Sequence, residues 1–137
     1  MCWKVVSLLT ICILTLGACG REVRRRGEDP IIATHGSRVS ALAAFTGTID
    51  YDPKTKCLFI EVDLGLGPSR RTFPFWPRGT RSIIHEGRRG VSVPGSGRFL
   101  DGDAIEAGGR DYEPDAFPQL EIPKACKKYG FSTINKD

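Results

Sequence analysis

A chain of 137 residues has room for one domain of ordinary size with a single modest core. Its 20 basic residues against 16 acidic ones leave a formal net charge of +4, too mild a surplus for a dedicated nucleic-acid binder. Five cysteines in so short a chain make the redox compartment the next question.

Met1 to Lys4 form a brief n-region with one positive charge, and Val5 to Leu16 follow as an apolar h-region, VVSLLTICILTL. Those twelve residues span about 18 Å as a helix, against a hydrocarbon core of about 30 Å, so a permanent transmembrane helix is not expected. An ordinary signal peptidase requires small side chains at the first and third positions before the cut. A cut after Gly20 satisfies that rule with Ala18 and Gly20, whereas a cut before Cys19 presents the oversized Leu16. The run Leu16-Gly17-Ala18-Cys19 (an aliphatic residue, two small ones and a cysteine) resembles the lipobox of bacterial lipoproteins. The resemblance implies that the Cys19 thiol is alkylated with diacylglycerol and becomes the first mature residue. One acyl chain binds a membrane marginally and two or more hold stably, so such an anchor needs no help from the folded domain. A plain secretory signal cut after Gly20 and an uncleaved anchor are the alternatives.

The division expected from this reading is a signal peptide over 1–18, a lipidated tether over 19–38 and a small β-domain over 39–137. Gly20 to Ser37 carries charge, Gly27, Pro30 and Gly36, and as a flexible segment of eighteen residues would hold the domain about 20–25 Å from the membrane. Within it, Arg24-Arg25-Arg26 is either a solvated basic tether or a contact for anionic head groups. A short strand or helix across Val39–Ala44 carries little weight.

Removing 1–18 takes Lys4 with it and leaves 19 basic residues against 16 acidic ones. Cys2 and Cys12 leave as well, and Cys19 is consumed by lipid. Cys57 and Cys126 remain, an even pair that reads as a disulfide in an exported chain. No Cys-x-x-Cys spacing is present, neither histidine stands at a ligand spacing from a cysteine, and no metal or cofactor is expected.

Along the body, Phe45 to Tyr51 alternates apolar or glycine with polar residues and predicts a strand. Asp52-Pro53-Lys54-Thr55 supplies a turn, and Lys56 to Asp63, KCLFIEVD, the returning strand. Leu64-Gly65-Leu66-Gly67-Pro68 breaks the chain. Arg71 to Trp76, RTFPFW, predicts an edge strand because Pro74 cannot donate to a ladder. Weak strands follow at Arg81–His85 and Gly90–Val93, then a loop over Pro94–Gly97. Arg98 to Ala107 turns at Asp101-Gly102-Asp103 and continues as a short strand through Ile105, which Gly108-Gly109 is expected to terminate. Pro123 to Gly130 predicts one or two helical turns that Cys126 ties back to the hairpin.

Short strands every eight to twelve residues with Gly and Pro turns predict an all-β barrel or sandwich with a short C-terminal helical turn. The Gly-centred first strand, the cysteine early in the second, Trp76-Pro77-Arg78-Gly79-Thr80 and the hairpin end from Gly102 to Gly109 resemble a small module of exported bacterial proteins, over residues 45–109. That resemblance implies an OB-like barrel and brings no activity with it.

Candidate chemistry is sparse. His35 and His85 read as isolated surface residues, and no Gly-x-Ser-x-Gly elbow is present. Asp111, Glu113 and Asp115 alternate as in a calcium loop, but Ala116 and Ile122 stand where an EF-hand needs glycine and a bidentate acid. Asp101 and Asp103 read as turn residues before they read as a carboxylate pair. Arg70, Arg71, Arg78, Arg81, Arg88 and Arg89 surround Phe73, Phe75 and Trp76. Either the aromatics pack the core beneath solvated arginines, or the arginines form a surface for an anionic ligand. Outside the cytoplasm that ligand is an envelope polymer or lipid head group rather than nucleic acid. The expectation is a binding or structural module anchored through Cys19 to the bacterial membrane. An envelope-component hydrolase and a secreted, unlipidated binding protein are the alternatives.

Overall fold

In a computed structural model, residues 23–36 and 43–135 are described. The segment read as a signal peptide, the expected lipidation site Cys19, and residues 39–42 of the weak element at Val39–Ala44 lie outside them. The described chain is mostly β, a single sheet-rich domain with one short helix. Its elements are β1 (Val23–Arg26), β2 (Ile32–His35), β3 (Ala43–Tyr51), β4 (Leu58–Asp63), β5 (Arg70–Pro77), β6 (Arg81–His85), β7 (Arg88–Val93), β8 (Gly97–Leu100), β9 (Ala104–Tyr112), α1 (Lys124–Lys127) and β10 (Phe131–Asn135). No helix among the described residues is long and apolar enough to cross a membrane.

Seven strands share one sheet in the order β1-β2-β5-β10-β9-β3-β4, and β4 pairs in addition with β5. The pairings β3–β4, β4–β5, β10–β9 and β9–β3 are antiparallel, and β5–β10 is parallel. The remaining strands, β6-β7-β8, make a separate three-stranded antiparallel sheet.

Side chains alternate across a strand, and in β4 and β5 both faces are covered. Leu58, Ile60, Val62 and Trp76 point into a cluster with Ile32, Ile49, Val91, Val93, Ile105 and Ile134. Cys57, Phe59, Phe73 and Phe75 point into another with Ile31, Ala33, Leu120, Ile122, Cys126 and Phe131. Double coverage explains why KCLFIEVD and RTFPFW are nearly continuous apolar runs.

The sequence reading made β5 an edge strand, and the sheet corrects this. β5 has neighbours on both sides, with Pro74 opposite Ser132 of β10. On its other side β4 pairs with Arg70–Thr72 and β2 with Phe75–Pro77. Phe73 donates its amide to the Gly130 carbonyl on the β10 side at 3.0 Å, so the missing N–H of Pro74 falls on the opposite side, between β4 and β2. A proline is tolerated in an interior strand where no ladder bond is asked of it.

The flexible tether is corrected over its described part. β1 pairs antiparallel with β2, β2 lies parallel on β5, and Ile31 to His35 are buried. Ile32 joins one core cluster while Ile31 and Ala33 join the other. Gly108-Gly109 does not end β9 either. The strand runs on to Tyr112, and a Cβ at Gly109 would collide with the Thr133 carbonyl of β10. Glycine there permits close backbone approach.

Cys57 and Cys126 form a disulfide between residues 69 apart in sequence. It fastens α1 and the segment after β9 over the phenylalanine face of β4 and β5. Phe117 sits edge-on to Phe75 at 4.8 Å and to Phe131 at 5.6 Å. The turn at Asp101-Gly102-Asp103 separates strands of different sheets, because β8 pairs with β7 whereas β9 pairs with β3 and β10.

Candidate functional site

The six arginines singled out in the sequence do not form one surface. Arg70 pairs with Asp111 at 3.0 Å. Arg71 bridges Asp50 at 2.5 Å and Glu61 at 3.2 Å, with its guanidinium over the Phe59 ring at 5.1 Å and the Tyr129 ring at 5.5 Å. Arg88 pairs with Asp103 at 2.6 Å and donates to the Asp101 carbonyl. Arg89 reaches Asp29 at 3.4 Å and lies over Tyr51 at 5.4 Å. Phe73, Phe75 and Trp76 are fully buried, so none of them is a stacking platform.

These pairings set the carboxylates. The Tyr51 hydroxyl, donating to Asp29 at 2.5 Å, and then Arg89 hold the Asp29 carboxyl below its usual range, while burial and that carboxylate push the Tyr51 phenol up. Ser69 and then Arg71 hold Glu61 down. Asp103 is held down by the Leu100 amide and then Arg88, and Asp52 chiefly by the Lys54 amide. Asp50 moves up, because burial and its neighbours Asp101, Glu61 and Asp52 outweigh the attraction of Arg71. The Asp101 carboxylate accepts the Tyr51 amide and that of Asp103 the Leu100 amide, so both serve the turn.

Arg78 and Arg81 are brought elsewhere. They line a cavity of about 450 Å³ together with Arg24, Arg26, Thr34, His35, Gly36, Gly79 and Thr80. Four arginines and, among the described residues, no carboxylate line it. Each wall has a local cause. Alternation along β1 sends Arg24 and Arg26 to this side, while Arg25 donates to the Glu121 carbonyl at 3.4 Å. The turn after β5 is closed by the Thr80 amide on the Pro77 carbonyl at 3.1 Å, with φ of +86° at Gly79, the third-position geometry that favours glycine. That turn presents Arg78 and starts β6 at Arg81. Gly36 leaves space where a Cβ would stand 3.2 Å from Arg78 Nη2.

Two polar residues floor the cavity. His35 is buried, not an isolated surface residue, with Nε2 at 3.0 Å from the Ile134 carbonyl. Thr80 is 3% exposed, and its hydroxyl has no hydrogen-bond partner. Among the described residues the side chains of Arg26 and Arg81 make no ion pair or hydrogen bond. Sequence reasoning named Arg24 and Arg26 as part of a basic tether or a head-group contact, placed His35 on the surface and did not single out Thr80. Its one usable signal was Val23-Arg24-Arg25-Arg26, which alternates in a strand but passes for a charged tether.

A larger cavity of about 620 Å³ opens beside β3 and β9, and its charged lining is Asp63 and Glu106. Both flank Thr46, on the strands to either side. Asp63 also accepts the Gly65 amide at 2.8 Å, a turn role. Among the described residues no cluster of three His, Cys, Asp or Glu side chains is placed to hold a metal ion. No protein family, curated protein or solved structure matches this chain.

Proposed function

We propose that this chain is a lipid-anchored, extracytoplasmic binding module of the bacterial envelope, an OB-like barrel that takes an anionic ligand in the arginine cavity. The observation that carries the reading is the segregation of charge. Arg70, Arg71, Arg88 and Arg89 are each matched by a carboxylate, whereas among the described residues Arg26 and Arg81 of the cavity are matched by none. Guanidinium forks suit carboxylate, sulfate and phosphate oxygens, and the charge of Arg26 and Arg81 is left for a ligand.

The barrel reading is supported by the circuit β3-β4-β5-β10-β9, in which each strand pairs with the next and the last with the first. Its parallel β5–β10 step between antiparallel runs is the connection a five-stranded Greek-key barrel of the OB type requires. OB folds bind ligands on the outer face of their second and third strands. Here those strands are β4 and β5, and that face is filled by Phe59, Phe73 and Phe75 under the disulfide-fastened segment. Binding therefore moves to another part of the surface. The disulfide and the lipobox at Cys19 support an address outside the cytoplasm.

The test is a titration of the lipidated protein in neutral detergent micelles with sulfate, phosphate and citrate. At least one is expected to bind saturably, and the double variant Arg26→Gln/Arg81→Gln to weaken it about tenfold or more, the loss of at least one charge-assisted pair. Absence of saturable binding by all three anions contradicts the reading. The hydrolase alternative rests on Asp63 and Glu106 in the larger cavity, and predicts that Glu106→Gln abolishes turnover of an envelope glycan while leaving anion binding intact.

A further inference from the structure

We propose that the arginine cavity is a phosphate site filled from the membrane itself, by the head group of an anionic phospholipid. This rests on the lipid-anchored reading and names the ligand class of the same site.

The position of β1 carries the inference. Four residues separate Cys19 from Arg24, so their Cα atoms, five steps apart, lie at most about 18 Å from each other. A spacer of eighteen flexible residues would have let the domain stand off the bilayer. Instead β1 begins at Val23 and is held by β2 along its whole length, from Val23↔His35 to Arg26↔Ile32. A domain whose first strand starts four residues after its acylated cysteine is held with that strand within about 14 Å of the anchor by chain length alone. Arg24 and Arg26, two of the four arginines lining the cavity, therefore lie within the first strand after the anchor.

The chemistry of the lining selects a phosphate. A phosphodiester offers two non-bridging oxygens in the plane that a guanidinium fork engages, and it keeps its negative charge at any physiological pH. Arg26 and Arg81 supply two such forks, which suits a phosphate carried on an already anionic surface. The Thr80 hydroxyl is a donor buried without a partner, a state that is costly unless a ligand oxygen completes it. At about 450 Å³ the cavity takes the phosphate together with the polar group esterified to it.

Arg25 provides an internal control. It belongs to the same strand at the same distance from the anchor, yet turns away from the cavity toward Glu121. General proximity to a charged surface acts on Arg25 as much as on its neighbours, whereas a phosphate held in the cavity acts on the lining arginines, read here at Arg26 and Arg81, and not on Arg25.

The experiment measures the rate at which the neutral reagent phenylglyoxal modifies each arginine of the lipidated protein, read by peptide mass spectrometry. The protein is reconstituted in vesicles of phosphatidylglycerol or of phosphatidylcholine, or held in neutral micelles with and without inorganic phosphate. In phosphatidylglycerol, Arg26 and Arg81 are expected to react about fivefold more slowly than in phosphatidylcholine, as for a site four-fifths filled, with Arg25 unchanged. Equal rates in the two vesicles overturn the proposal, and so does parallel slowing of Arg25. Protection by inorganic phosphate in micelles without protection by phosphatidylglycerol assigns the site to a soluble phosphate, which defeats the membrane source and leaves the anion-binding reading standing. No protection under any condition removes both. The mass of the mature N-terminal residue tests the anchor separately.

Discussion

Thr80 shows at the level of one side chain how the cavity differs from ordinary core. A threonine this deeply buried normally bonds its hydroxyl, and an unsatisfied one destabilises a fold by about 1–3 kcal/mol. Thr80→Val keeps the branched shape and removes the orphan group. It is therefore expected to raise the urea midpoint of the ligand-free protein, by about 1 kcal/mol of stability, while weakening phosphate binding. A variant that loses stability and keeps full affinity would take the hydroxyl out of the site. Neither the burial of Thr80 nor that of His35 was legible in the sequence, because both depend on β2 and the turn after β5 meeting across the sheet. Of the six arginines marked around the aromatics, only Arg78 and Arg81 line the cavity. The pairing of the other four follows from carboxylates up to 60 residues away in sequence, such as Asp29 for Arg89, and composition carries no record of such partners.

At the scale of elements, strands bounded by strong turns were readable and strands defined by their neighbours were not. β3 and β4 flank Asp52-Pro53-Lys54-Thr55, and their alternation and β-forming residues placed them closely. β2 is four residues long, too short for a periodicity, and became visible only on the sheet. β5 misled through Pro74, whose place at the junction between β4 and β2 no local rule foresees. The cysteine pair was read correctly from arithmetic alone. Its removal tests what it holds: Cys126→Ser opens a loop of 69 residues, and the chain-entropy account gives a loss of about 4 kcal/mol. The same variant frees the segment that covers Phe59, Phe73 and Phe75, so binding of a hydrophobic dye is expected to rise in step. An unchanged urea midpoint with no dye binding would show that packing of Leu120, Ile122 and Phe117 holds the segment without the bond.

For the whole molecule, charge is sorted into a structural set and a functional one. The structural set makes stability depend on acid. Asp29, Asp52, Glu61 and Asp103 are held below their ordinary values, so their contribution is complete above the normal carboxylate range and is lost as pH falls through their folded values. Asp50 acts in the opposite sense, since burial raises it and its ionisation costs the fold a little as pH rises. Four groups against one predict that the urea midpoint falls as pH drops below about 4. A midpoint that holds or rises between about pH 6 and pH 3 would contradict that assignment. The set proposed to bind ligand is the arginines lining the cavity, and the division between the two sets is tested most directly by an NMR titration of the arginine side-chain Nε–H resonances with inorganic phosphate. The account predicts saturable shifts confined to Arg24, Arg26, Arg78 and Arg81, with Arg70, Arg71, Arg88 and Arg89 unmoved. Shifts spread evenly over all eight arginines, or none at all, would contradict it.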